Sequence, residues 1–248
     1  MFFLKPKTES TKKSIIFVLA AGFIGLAAHT SLGQSANPGA AVSIGEVHDY
    51  FMQAFCDSVA HWRNTRKPVN AEEAARSIWN MMYEGLPEKL GITQQELDRI
   101  LAQLGINERN FTNAPTFMYE ALDPTRKSFV DDLLATFTAN FDLPDKQLIQ
   151  VIRAKKQDWI KRLPEQEIDY AIEVAVSSMI YWKNNVEDCI LGSTALRTDR
   201  KKEAAKLAAG DVTGAAWGGL TGGPAGALVG AVGGTLGASI GLLIDHWW

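Results

Sequence analysis

The sequence predicts an all-α protein, a multi-helix bundle followed by a glycine-rich helical hairpin. Three observations carry that expectation. Helix-start signals recur between residues 43 and 192, apolar residues follow them at three- and four-residue spacing, and no stretch sustains the period-two alternation of a half-buried strand. The chain has 248 residues, 46% hydrophobic and 21% charged, which suits a folding soluble chain better than a disordered or multi-span one.

The first 33 residues read as an export signal. Lys5, Lys7, Lys12 and Lys13 precede the apolar stretch 14–28, and small residues at Ser31 and Gly33 place cleavage between Gly33 and Gln34. An uncleaved anchor helix is the other reading of the same stretch. Residues 34–42 then form a short extension of the mature chain, in the periplasm, the envelope or outside the cell, where disulfides persist. Residues 34–248 carry 21 basic and 27 acidic side chains, a net charge of -6 that argues against a nucleic-acid partner.

Residues 43–192 are expected to form the helical domain. Three reciprocal capping boxes open helices, at Ser43 with Glu46, Asn70 with Glu73 and Thr93 with Glu96. The first helix carries Ile44, Val47, Phe51, Phe55, Val59 and Trp62 on one face. The second uses Ala74, Ile78, Trp79 and Met82 and is expected to stop near Gly85 and Pro87. The third has Leu97, Ile100, Leu101 and Leu104 before Gly105. Asp123 caps a fourth with Pro124 in its first turn, followed by Val130, Leu133, Leu134, Phe137 and Phe141. Two more helices are predicted over 144–162 and 164–191, the last ending at Gly192. The segment 106–116, with Asn107, Asn110, Asn113 and Pro115, reads as a loop.

A charged linker or helix, 193–209, leads into the segment 210–248, and there the composition changes. From Val212 to Ile244 no residue is charged, and glycines at 214, 218, 222, 226, 230 and 234 form a four-residue ladder that Gly237 and Gly241 continue with a slip. Residues four apart share a helix face, so this glycine zipper lets another helix approach backbone to backbone. The twelve glycines from Gly210 to Gly241 cost about 1 kcal/mol each relative to alanine, roughly 10 kcal/mol against an isolated helix. The segment must therefore pack against something. Gly222, Gly223 and Pro224 mark the turn of a hairpin with arms near 201–221 and 224–244. The second arm, about 32 Å long at 1.5 Å per residue, matches a hydrocarbon core of about 30 Å. Trp247 and Trp248 suit the boundary between lipid and water. Membrane insertion through Leu220, Leu228, Val229, Val232, Leu236, Ile240, Leu242, Leu243 and Ile244, self-association of the tail, and packing within the chain all remain open to it.

Cys56 and Cys189 lie on two apolar-patterned helices. A bond between them closes a loop of about 130 residues, contributing roughly 4–5 kcal/mol on chain entropy, and two buried thiols are the alternative. No catalytic constellation and no metal site is expected. Asp57 and His61 form an i,i+4 pair, and with His48 and Asp49 they supply too few convergent ligands for a metal. Ser177 and Ser178 lack a nearby histidine in the sequence, and no cofactor is implied.

The order of export signal, helical domain and a tail reading Asp211-Val-Thr-Gly214, Gly222-Gly-Pro-Ala-Gly226 and Gly230-Ala-Val-Gly-Gly234 resembles uncharacterised exported bacterial proteins with glycine-zipper tails. The tail alone is similar to those of two-peptide class II bacteriocins and of glycine-zipper outer-membrane lipoproteins. Gln34 stands where a lipoprotein needs its lipidated cysteine, so no lipid anchor is expected. The resemblance implies a non-enzymatic protein whose hairpin associates with the lipid bilayer or with its own copies. The alternative is a soluble helical binding module whose tail only packs, and the sequence names no protein partner.

Overall fold

The computed structural model describes residues 43–65, 68, 70–191 and 197–247, apart from the side chains of residues 197, 198 and 247. The expected signal peptide 1–33, its cleavage at Gly33-Gln34, the extension 34–42, the Trp247 side chain and Trp248 lie outside the described residues. Among those described there are only helices. They are α1 (Ile44–Asn64), α2 (Ala71–Leu90), α3 (Gln94–Leu104), a 3₁₀ turn (Phe111–Asn113), α4 (Ala114–Ala121), α5 (Pro124–Asn140), α6 (Asp145–Trp159), α7 (Glu165–Val186), a π-helical end (Glu187–Leu191) and α8 (Arg197–Trp247).

The starts follow from side-chain capping. Ser43 and Glu46 exchange hydrogen bonds in a complete capping box, and Thr93 and Glu96 repeat it at α3. Asn70 accepts from the Glu73 amide at 2.8 Å, and Asp123 accepts from the Thr125 and Arg126 amides. Gly91 and Gly105 end α2 and α3 in the left-handed conformation, at φ 64° and 71°, which glycine adopts without steric cost.

Two expectations need correction here. Helix α2 runs through Gly85 and Pro87 to Leu90. Gly85 is a packing glycine, because a Cβ there would lie 3.1 Å from the Phe51 ring of α1, and Pro87 forgoes one helical hydrogen bond within an otherwise continuous helix. The segment 106–116 is not a loop throughout. After the 3₁₀ turn it enters α4, whose Pro115 sits in the first turn, where a missing amide costs nothing.

Helix α8 is two helices broken at Gly223, where φ 62° and ψ -148° reverse the chain just before Pro224. Its arms are residues 197–222 and 224–247. This hairpin occupies the middle of the fold, against α7 most extensively and also against α1 to α5, the 3₁₀ turn and the π-helical end. Helix α6 packs on α5 and α7. The division into a helical domain 43–192, a linker 193–209 and an appended hairpin 210–248 does not describe this arrangement. Residues 197–209 are the first turns of the first arm, with Ala204, Leu207 and Ala208 already buried, and residues 42–248 make one unit. The apolar residues of the hairpin belong to the same continuous core as those of the other helices.

Candidate functional site

The two arms meet along a glycine seam. Gly210 faces Gly234, Gly214 faces Gly230 and Gly218 faces Gly226, three pairs placed symmetrically about position 222. At Gly210 a Cβ would lie 2.7 Å from the Gly234 carbonyl oxygen, and at the other two pairs the overlap with facing backbone is worse. The absence of side chains is thus what lets the arms approach. Close helix approach is the physical content of the four-residue ladder, and here the partner helix is the other arm of the same chain.

Not every rung does this. Gly237 lies against the Phe111 carbonyl and Gly233 against the Ile106 side chain, so these two rungs pack on the 3₁₀ turn and on the segment between it and α3. A Cβ at Gly222, at the turn, would come no nearer than 3.9 Å to its first neighbour, the Gln103 side chain, and one at Gly241 would meet nothing within 4 Å. These two are corrected out of the seam. Gly210 joins it, although the predicted rungs began at Gly214.

The apolar residues of the tract are covered by the surrounding helices. Leu228, Val229, Val232, Leu236, Ile240, Leu242 and Leu243 are buried, Ile244 is partly buried, and Leu220 near the turn is exposed. The stretch Asp199–His246 is long and apolar enough to cross a membrane, with a best 18-residue window of mean hydropathy 1.9, and 83% of that window is buried inside the fold. A covered core helix meets the same criterion, so hydropathy alone does not decide between the two.

Two charged residues of the hairpin are buried with it, Glu203, which pairs with Lys206 near the start of the first arm, and Asp211. Asp211 follows the seam residue Gly210, and its side chain has no solvent exposure. It faces α1 and α7. Ser178 and Trp182 of α7 both donate to its Oδ2, Trp182 at 3.3 Å, and His48 of α1 brings Nε2 to 3.1 Å of the same oxygen. This last contact is an ion pair outside hydrogen-bond alignment, and Asp211 Oδ1 has no hydrogen-bonding partner. The other ring nitrogen of His48 lies 3.0 Å from Asp49 Oδ1. Asp49 in turn accepts from Ser177, whose hydroxyl also lies 3.2 Å from the Gly45 carbonyl. The Asp49 side chain is about half exposed (48%) and lines an open surface depression with Ser177, Tyr181 and Asn184.

Burial alone would strip the proton from His48. The carboxylates of Asp211 and Asp49 outweigh that and push its pKa up to about 9. Burial likewise pushes the Asp211 carboxyl up, against the opposing pull of His48, Ser178 and Trp182. Tyr181 is raised by burial and by the nearby Asp49 and Asp57.

In the sequence Asp211 only borders the uncharged tract 212–244, and His48 stands out only as one of too few ligands for a metal. The missed signal is positional. Asp211 continues the buried set Ala204, Leu207, Ala208, and His48 sits between Ile44 and Phe51 on the apolar stripe of α1. Each is a polar residue on a face that otherwise packs. Asp57, paired in the sequence reading with His61, accepts from Gln53 at 2.9 Å. Ser178 does have a histidine in its surroundings, but it donates to the carboxylate and not to the imidazole, so it is no activated nucleophile. Among the described residues no group of three or more His, Cys, Asp or Glu is placed to hold a metal ion.

Cys56 of α1 and Cys189 of the π-helical end are joined by a disulfide, with Cα atoms 4.9 Å apart across 133 positions of sequence. Arg63, two turns further along α1, donates to the Asp188 and Ile190 carbonyls at 2.6 Å each. Helix α1 is thereby fixed to the end of α7, just before the chain enters the hairpin.

Comparison with protein families, with characterised proteins and with solved structures returns no match. The functional reading therefore rests on the residues themselves.

Proposed function

We propose that this is an exported, non-enzymatic protein that acts through its glycine-packed hairpin, and that helices α1–α7 shelter the hairpin in water until it associates with a lipid bilayer. The carrying observation is the 33-residue tract 212–244, which holds no charge, pairs with itself through glycine and has nearly all its large apolar side chains covered by the rest of the chain. A hairpin whose backbone polar groups are already internally bonded keeps them satisfied in hydrocarbon. Its seam needs no side chain from the outer helices, so the two arms could leave together. Self-association through the same glycines is disfavoured in the sheltered state, because each arm already fills the other's seam.

A second reading has its own observation. The buried hairpin is also what a soluble helical binding module would use as its core, and its high burial favours that reading equally in water.

The deciding measurement is flotation of the full chain with vesicles of phosphatidylethanolamine and phosphatidylglycerol, with and without a thiol reductant, together with dye release. Binding that increases when the Cys56–Cys189 bond is reduced, with lipid protection of residues 212–244 in hydrogen exchange, supports the sheltered hairpin. A chain that stays lipid-free under both conditions overturns it and leaves the soluble module.

A further inference from the structure

Helix α1 is held to α7 by the Ser177 hydroxyl near Gly45 and Asp49, and to the π-helical end that follows by the disulfide and the Arg63 bonds. Toward the hairpin the described polar contact is different in kind. It is a single buried ion pair, His48 with Asp211, and the imidazole has a carboxylate oxygen at each of its two nitrogens, 3.0 Å and 3.1 Å away.

A neutral imidazole has one N–H and one lone pair. With both carboxyls ionised the lone pair then faces a carboxylate oxygen, at Asp49 or, where both partners are fully buried, at Asp211. Only the imidazolium presents a proton to both. Among the described residues the remaining neighbours of the ring and its partners supply no other cation: α7 contributes Ser177, Ser178, Trp182 and Tyr181, and α1 itself contributes Asp49 and, near Tyr181, Asp57.

We propose that the docking of α1 on the hairpin is proton-linked, His48 acting as a removable cationic pin between Asp49 at the surface and Asp211 in the hairpin. The half-exposed Asp49 gives the pin contact with solvent, so the buried charge on the hairpin responds to external pH. Its direction follows from linkage. The proton affinity of His48 is raised on folding, so its contribution to docking is complete below the ordinary histidine pKa of 6.5 and is lost as the pH rises through about 9. The upward shift of Asp211 has the same sign. Acid therefore leaves the contact closed, and alkali opens it by leaving Asp211 as an uncompensated buried charge. The use of this latch to control hairpin exposure rests on the sheltered-hairpin reading, whereas its chemistry does not.

The test is nitrogen-15 NMR of the full chain with labelled histidine, in the absence of lipid, from pH 6 to 10. The expected result is a His48 ring protonated at both nitrogens at pH 8, where a free histidine has lost its charge, and deprotonating near pH 9. In Asp211→Asn that midpoint falls by at least about one pH unit. The thermal midpoint of the parent falls between pH 8 and 10, while that of the double variant His48→Gln/Asp211→Asn is flat over the same range. A neutral His48 in the folded parent at pH 8, or a double variant that keeps the parent's pH slope, overturns the latch. Because no lipid is present, either result is independent of the flotation outcome: a working latch in a chain that never binds vesicles rejects the membrane reading alone.

Discussion

The seam between the two hairpin arms and the core beneath α1 and α2 bury backbone by opposite means. Under α1 and α2 the volume is filled by large side chains, Phe51, Phe55, Ile78, Met82 and Leu86, all fully buried, with Trp79 against Phe111 at a ring separation of 5.4 Å. Between the arms it is filled by nothing, since Gly214 and Gly230 bring main chain onto main chain. A side-chain core tolerates exchange of one apolar shape for another of like volume. A glycine seam has no such latitude, because the obstructing atoms are backbone and cannot change rotamer. The difference separates a region that sequence change can repack from one it can only break.

The contrast predicts a graded set of effects. Gly214→Leu should be the most damaging, exceeding about 5 kcal/mol, because the added side chain has no space on the seam and separation of the arms undoes the core. Urea unfolding of the purified variant would show no native baseline, and a midpoint near that of the parent would mean the arms are not in contact there. Removing the disulfide as Cys56→Ser/Cys189→Ser should lower stability by roughly 4–5 kcal/mol, the loop-closure effect of its 133-residue separation. A comparable loss on adding reductant to the parent, and none on adding it to the variant, checks the assignment. Phe51→Ala should cost about 4 kcal/mol through cavity formation while leaving the folded helix content unchanged, as circular dichroism reads it. Gly241→Ala runs the other way. Nothing lies within 4 Å of a Cβ there, so the variant should gain up to about 1 kcal/mol of helix stability. A loss by calorimetry would place a close neighbour at Gly241 and extend the seam beyond Gly234.

Much of the fold is legible in the sequence because its signals are local. The capping residues Ser43, Thr93 and Asp123 act within three positions, the glycine after α3 acts at one, and apolar spacing fixes which face of each helix turns inward. The hairpin break at Gly222-Gly223-Pro224 is local as well. What the sequence left open were partnerships across distance. A glycine ladder specifies close approach without saying to which helix, so the pairing of Gly214 with Gly230 needed the structure. His48 and Asp211 are separated by most of the chain, and neither carries a local mark beyond being polar on an apolar face. Helix α4 was obscured by Pro115, which breaks a helix in most positions and is tolerated in the first turn. Gly85 was read as a stop for a related reason, because a glycine that makes room for Phe51 looks the same in sequence as one that ends a helix.

The placement of the hairpin also orders the assembly of the molecule. Its seam joins positions 8 to 24 residues apart and zips outward from Gly223, so it closes quickly once made. It is nevertheless the last part of the described chain to be synthesised. Helices α1 to α7 emerge first with the faces that meet the hairpin still uncovered, and they wait, at about 5–20 residues per second of elongation, for the segment that covers them. Any product released before the second arm is finished lacks the glycine seam and leaves those faces open to chaperones and proteases, so completion of the second arm is what closes the native packing.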